Sequence, residues 1–365
     1  MNNQIEILSP VGNFEILSAT IHGGADVIFG VIKMNMRAKS ANNFTTSDLY
    51  EIVKICNENN IKTYLALNIV MYDEDIEEMK KIVIEAKKAG ITAIIATDIS
   101  VVQFCLEQNI KLHASTQLNI TNISAVKFYS NYFDVMVLAR ELSLKQVRKI
   151  YEEIQNQQIK GPSGNLVKLE IFAHGALCMA ISGKCYLSLH ENYHSANRGA
   201  CRQTCRHAYT VTNKETGYEL EIDNEFIMSP KDLSTIDFLD KVLKSGVSIL
   251  KIEGRARPPE YVKTVTSVYK DAVKSVQDGT YSQEKITEWK KQLSKVFNRG
   301  FWDGYYLGRK MGEWSETYGS RATRKKHYVG FVSNYFSKIG VAEVQMKSDK
   351  ISIDDEVLII GETTG

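Results

Sequence analysis

Thr63-Tyr-Leu-Ala-Leu-Asn68, the amphipathic stretch Asp75 to Ala89, and Thr92-Ala-Ile-Ile-Ala-Thr97 decide the fold. The two flanking runs are short and apolar without alternation, which is how strands covered on both faces read. Between them Ile76, Met79, Ile82, Val83 and Ala86 recur three and four residues apart, the spacing of one helical face. This is a βα unit followed by the next strand, and it recurs along the chain. Strands are predicted at Ile5–Leu8, Asp26–Gly30, Thr63–Asn68, Thr92–Thr97, Lys111–Ser115, Val135–Ala139, Leu169–Ala173 and Ser248–Ile252. Helical patterns fall at Ser47–Asn59, Asp75–Ala89, Ser143–Glu153 and Ser234–Ser245. Eight such strands predict an α/β fold, a (β/α)8 TIM-like barrel. An open doubly wound sheet is the alternative, but no GxGxxG follows the first strand.

The spacing breaks once. More than seventy residues separate the seventh and eighth strands, far beyond an ordinary βα connection. Cys178, Cys185, Cys201 and Cys205 all lie in that interval, which also reads as holding a hairpin, Tyr209–Asn213 with Tyr218–Ile222. The expected organisation is a barrel over residues 1–280 with a cysteine-bearing insertion at 174–246, a basic Trp-rich extension at 281–327, and a small β domain at 328–365. That last part, with strands at Tyr328–Val332, Gly340–Gln345 and Glu356–Ile360, is too short for a barrel of its own and reads as incomplete, as in a truncated chain.

The chain of 365 residues is 44% hydrophobic and 24% charged, ordinary for a globular protein, and no apolar run is long enough to span a bilayer. The N-terminus lacks the layout of a signal peptide, so a cytoplasmic location is expected. Six cysteines are too few for a disulfide scaffold in a chain this long, and clustered ones in a reducing compartment point to metal or catalysis. A net charge of +2 hides an asymmetry: residues 284–327 hold eleven Lys/Arg against five Asp/Glu, with Trp289, Trp302 and Trp314 among them. Such a stretch suits phosphates and bases, and equally suits a solvated helical face with Trp anchors beneath it.

In a barrel of this kind the residues just past each strand face one mouth. Here they are Pro10 and Gly12, Lys33 and Arg37, Asn68, Asp98, Ser115 and Gln117, Arg140 and Glu141, His174, and Glu253 to Arg255. The four clustered cysteines are separated by six, fifteen and three residues. Four soft thiolates suit tetrahedral zinc or a four-iron cluster, and the absence of tight C-x2-C pairs leans toward the cluster, with zinc or no metal still open. Cys56 and Cys105 sit alone in helical patterns and read as core thiols. His190-Glu191-Asn192-Tyr193-His194 matches the letters of the H-E-x-x-H zinc-protease helix, but its flanks (Ser188, Ser195, Asn197, Gly199) are loop-forming and offer no apolar stripe.

The run Glu170-Ile-Phe-Ala-His-Gly-Ala-Leu-Cys178-Met-Ala-Ile-Ser-Gly183-Lys-Cys185, with Asn197-Arg-Gly-Ala-Cys201-Arg-Gln-Thr-Cys205-Arg206, resembles the signature of the collagenase-like peptidase family of unassigned catalytic type. Leu8-Ser-Pro10-Val-Gly12, Ser115-Thr-Gln117, Ala139-Arg140-Glu141-Leu-Ser143, Ser229-Pro-Lys231-Asp232-Leu233 and Lys251-Ile-Glu253-Gly254-Arg255 extend the likeness over roughly residues 5 to 320. Despite the family's name, the resemblance implies oxygen-independent hydroxylation by proteins that hold a 4Fe-4S cluster. Of the family's branches, the chain looks most like the one that converts the tRNA wobble uridine to 5-hydroxyuridine, with prephenate as a linked co-substrate. Other branches act on ribosomal RNA or in ubiquinone synthesis, the latter as paired subunits. The implied cluster ligands are Cys178, Cys185, Cys201 and Cys205. Some relatives place the fourth cysteine well downstream, where this chain has only Ser234. Candidate catalytic residues are Glu141, Glu253 and His174, and candidate substrate-binding residues are Arg37, Gln117, Arg140, Arg198 and Arg255. The arginines are suited to an anionic co-substrate, and the expected partners are tRNA and either a paralogous subunit or a second copy of the chain, with no membrane.

Overall fold

The computed structural model describes residues 5–30, 44–210, 212, 214–217, 226–254, 256–308, 312–348 and 350–364. Seven parallel strands come first: β1 (Glu6–Pro10), β2 (Val27–Gly30), β3 (Lys62–Leu67), β4 (Ala93–Ala96), β5 (Leu112–Ala114), β6 (Val135–Val137) and β7 (Lys168–Ala176). A short β8 (Asp232–Ser234) precedes β9 (Ile249–Ile252). β9 pairs in parallel with both β7 and β1, Leu250 lying opposite Ile171 on one side and Ile7 on the other, and so closes an eight-stranded barrel. Each of the eight barrel strands expected from the sequence has its counterpart here.

Helices cover the outside: α1 (Phe14–His22), α2 (Leu49–Glu58), α3 (Ile76–Ala89), α4 (Ile99–Glu107), α5 (Ile123–Tyr129), α6 (Leu144–Asn156), α7 (Leu187–Asn192) in the insertion, α8 (Leu239–Lys244) and α9 (Pro259–Gln277). Their starts are written locally. Asn13, Asn122 and Ser143 each accept a backbone N–H of the first turn, and Ser143 with Gln146 forms a capping box. α3 buries Met79, Ile82, Val83 and Ala86 and ends on Gly90 at φ +84, where a Cβ would be strained. The strands divide their side chains by parity. Leu8, Val27, Tyr64, Ala93, Ile95, Val135 and Ile249 fill the barrel's interior, while the intervening residues pack under the helices. Tyr261 and Tyr269 of α9 are fully buried in that outer layer, and burial of side chains this size contributes roughly 1.5–3 kcal/mol each.

The long interval leaves and rejoins the barrel at one place. β8 runs antiparallel to the end of β7, with Gly175 opposite Leu233, and β10 (Phe301–Trp302) adds in parallel to β8. Neither short strand is foreshadowed in the sequence. The expected hairpin at 209–222 lies largely outside the described residues. In the basic extension, α10 (Gln283–Lys295) buries Trp289, whose Nε1 donates to Asp271 at 2.8 Å, and Trp302 is buried as well. Those two rings are packing anchors under a charged face. β11 (Gly330–Phe336) and β12 (Val341–Met346) pair as a separate antiparallel sheet, whereas residues 356–360 form no strand. No helix among the described residues is long and apolar enough to cross a membrane.

Candidate active site

Strand ends build the floor. Asn68, one residue past β3, donates to Ser115 Oγ at 3.2 Å, and Ser115 Oγ donates to Gln117 Oε1 at 3.1 Å. Ser115 also caps a single 3-10 turn over residues 116–118 that carries Gln117 back over the barrel and ends on Asn119 at φ +53. From β9, Lys251 Nζ donates to Glu170 Oε1 at 2.8 Å inside the barrel, with Lys251 7% and Glu170 0% exposed. The Phe172 ring is flanked by two cations, Arg140 stacked at 3.9 Å and Lys251 at 5.7 Å. Arg140 Nη1 donates to the Ala176 carbonyl at 3.3 Å, but its buried Nε has no acceptor among the described residues. A buried donor in that state is costly, and an anion would satisfy it.

The insertion builds the roof. From Ala176 the chain turns over the mouth through Ser182, which sits at φ +49 and donates to Asn119 Oδ1 at 2.8 Å. Ser188 of α7 accepts the backbone N–H of Arg202 at 2.9 Å, folding the second cysteine pair against the first. Arg206, 8% exposed, donates to the carbonyls of Leu177 at 2.6 Å and Pro230 at 2.7 Å and to Ser229 Oγ at 3.0 Å. It ties the start of the insertion to its return.

Floor and roof enclose a cavity of about 160 Å³ lined by all four cysteines together with Asn68, Gln117, Arg140, Lys251 and Glu253. The thiols feel each other. Burial raises Cys185 above the usual thiol range, and the charges of Cys178 and Cys201 raise it further against backbone N–H groups of Leu187 and Ser188. Burial likewise raises Cys205, the adjacent Arg206 charge opposing it and the other three cysteines adding to it. Mutual repulsion of thiolates is the state that a bound cation relieves. No three His, Cys, Asp or Glu side chains among the described residues already stand at metal-binding spacing. The donor set suits a thiolate-ligated metal in type and number, with the spacing of the sulfurs left to the binding event.

Of the expected site residues, the four cysteines, Gln117, Arg140 and Glu253 meet in this cavity. Glu141 is exposed and is not in its wall. Arg198 lies on the insertion's flank, stacked on Tyr72 at 3.8 Å and paired with Asp75. Arg37 and Arg255 lie outside the described residues. His174, expected past the end of β7, is inside the strand. An irregularity in register between Phe172 and His174 turns its ring outward, against Tyr261, Tyr269 and Phe301. Burial, with help from the Arg257 charge, depresses its pKa to about 3, so it is a neutral packing group away from the cavity. Lys251 and Arg206 are the residues the sequence reading overlooked. A lysine in an otherwise apolar strand was the available signal for the first, and an arginine adjoining a candidate ligand for the second.

The His190 to His194 stretch does begin in a helix, contrary to its loop-like flanks. α7 stops at Asn192, however, and Tyr193 takes φ +54. His194 therefore lies beyond the helix, its ring bonded to the Asn192 carbonyl, and does not share a face with His190. The geometry that lets H-E-x-x-H hold zinc is absent.

Comparison with known proteins agrees with the family resemblance. The chain is 56% identical over 364 residues to a protein named collagenase from Porphyromonas gingivalis, covering 100% of this chain and 88% of that one. It is 31% identical to tRNA hydroxylation protein P1 of Bacillus subtilis, over 94% of this chain and 80% of the relative. It is 29% identical to a 23S rRNA 5-hydroxycytidine synthase of Escherichia coli, over 86% of this chain and 46% of that protein. The model of peptidase family U32 matches residues 12–316, nearly the whole barrel with its insertion and extension, and the chain belongs to that family.

Proposed function

We propose that the protein modifies RNA, adding a hydroxyl group to a pyrimidine held at the barrel mouth, with wobble uridine of tRNA converted to 5-hydroxyuridine as the specific reaction. The observation that carries this reading is the convergence of Cys178, Cys185, Cys201 and Cys205 with Gln117, Arg140 and Glu253 around one cavity. Relatives named for tRNA and rRNA hydroxylation support it. The four cysteines would hold a 4Fe-4S cluster, which supplies electron transfer or activation of an oxygen donor without molecular oxygen.

The chain's own residues do the rest. An anticodon-loop base is cheap to unstack, and C5 is reached only once the base is out of the stack. The Gln117 amide, held by Ser115, offers a donor and an acceptor to the base edge. Arg140, with an unfilled Nε donor and its plane fixed on Phe172, binds a carboxylate of an anionic co-substrate such as prephenate. When an oxygen donor at the two-electron oxidising level delivers the hydroxyl group to C5 and leaves reduced by two electrons, C5 gives up its hydrogen as a proton, and the Glu253 carboxylate on the cavity wall accepts it. Lys251 raises the positive potential beneath the base while Glu170 holds it in place.

Nucleosides of tRNA from a strain lacking the gene test the assignment by mass spectrometry. Loss of 5-hydroxyuridine derivatives is expected, restored by the wild-type gene and not by Cys205→Ala. An unchanged profile overturns it. Anaerobically purified protein should contain iron and sulfide, and colourless protein with stoichiometric zinc would sink the cluster. The relative named collagenase favours a second reading, peptide cleavage. It requires gelatin hydrolysis that survives Cys178→Ala and is lost in His190→Ala.

A further inference from the structure

A second cavity, about 280 Å³, opens beside the first and shares Ala176, Gln203, Arg206 and Glu253 with its wall. Its charge is lopsided. Arg202, Arg206, Arg257 and Arg299 line it, and Glu253 is the one carboxylate among the described lining residues. Behind the wall, Asp232 serves two of these guanidinium groups at once, Arg299 Nη1 at 3.5 Å and Arg257 Nη2 at 4.0 Å. Arg299 is 8% exposed, yet its Nη1 makes no hydrogen bond among the described residues. Among the described residues, four guanidinium groups line this space, against the carboxylates of Glu253 in its wall and Asp232 behind it. An oxyanion in the cavity would supply the short charge-assisted hydrogen bond that the 3.5 Å pairing of Arg299 Nη1 with Asp232 does not.

The apolar side of the cavity orients those charges. Phe297 carries Arg257 at 3.5 Å and Arg299 at 5.1 Å, a stacking that fixes both guanidinium planes. At the rim, His207 and Tyr318 lie 6.3 Å apart with tilted rings. Donor forks presented from several directions suit a tetrahedral oxyanion better than a planar carboxylate. A nucleotide whose base enters the first cavity carries such a tetrahedral oxyanion one sugar away.

We propose that the second cavity is a phosphate site, gripping the RNA backbone next to the pyrimidine in the cysteine-lined cavity; it rests on the RNA reading given above. The test uses the full chain and a short single-stranded RNA containing one uridine, followed by fluorescence anisotropy. Each phosphodiester is replaced in turn by an uncharged methylphosphonate. Neutralising the linkage beside the uridine should weaken binding about tenfold, the scale of one charge-assisted hydrogen bond. The same replacement should cost Arg202→Gln and Arg299→Lys twofold or less. Arg202 is exposed, so its variant folds even if the Arg299 variant does not. Equal losses at every linkage, or losses unchanged in the Arg202 variant, overturn the site. Competition by malonate but not by inorganic phosphate makes it a carboxylate site and also overturns it. If the linkage effect persists while tRNA nucleosides of the deletion strain are unchanged, the phosphate site stands and the modification reading fails. Altered nucleosides with no linkage effect give the reverse.

Discussion

Lys251 and Glu170 show how much depends on one buried charge pair. Both are buried in the barrel, 2.8 Å apart, and the second glutamate oxygen accepts no hydrogen bond among the described residues. Removing one partner leaves the other charged and unsolvated, so Lys251→Met should cost about 3–5 kcal/mol in urea unfolding. Lys251→Met with Glu170→Leu should recover much of that, because neither charge then needs a partner. His113 is a companion case: burial first, then the Lys251 charge, depresses its pKa from 6.5 to about 3. The folded state binds the proton less readily than the unfolded chain, so this stability is present above about pH 6.5 and is lost as pH falls toward 3. His113 Nδ1 has no hydrogen-bond partner among the described residues and the ring packs edge-on to Tyr64, so Phe can replace it. In His113→Phe, the fall of unfolding free energy with acidification over that range should be shallower by up to about 1.4 kcal/mol per pH unit. An identical slope would show that the histidine is not buried neutral.

The junction of β7 with the insertion depends on a glycine. Gly175 sits at φ +107, and a Cβ there would stand 2.3 Å from the Glu253 carbonyl oxygen. Glu253 is bonded through its own N–H to the His174 carbonyl at 2.8 Å, so the two strand ends meet without room for a side chain. Gly175→Ala should destabilise the fold by roughly 1–3 kcal/mol and displace Glu253; under the proposed function it should lower hydroxylation more than RNA binding in steady-state kinetics. Elements of this kind also mark the limit of what the sequence discloses. Runs such as Ala93–Ala96 and Leu112–Ala114 are legible because strands covered on both faces must be apolar. Gln117, Arg140 and Glu253 are legible because a barrel aims its strand ends at one mouth. β8 is Asp-Leu-Ser, three residues with no pattern of their own, paired because β7 is already there. His174 is misread because one irregularity reverses the parity on which strand reading depends. Lys251 hides for a related reason: a charge inside an apolar strand is intelligible only when its partner, 81 positions away, is known.

At the scale of the molecule, the barrel supplies rigidity and the insertion supplies chemistry, and the two meet at the β7–β8 neck. The cysteines hold up no part of the hydrophobic core, which consists of strand and helix residues together with the buried, isolated thiols Cys56 and Cys105. Replacing all four insertion cysteines by serine should therefore leave a cooperative unfolding transition within a few degrees of the wild type's. Circular dichroism on heating checks this, and loss of the transition would mean that the ligands scaffold the fold, as in small zinc domains. The antiparallel pairing of Gly175 with Leu233 has one more consequence. Because the excursion is stitched shut at its base by ordinary backbone bonds, the polypeptide can leave the ribosome and close its neck without any inorganic guest. With the proposed cluster, biogenesis would have two separable stages, folding first and the drawing together of the four sulfurs second.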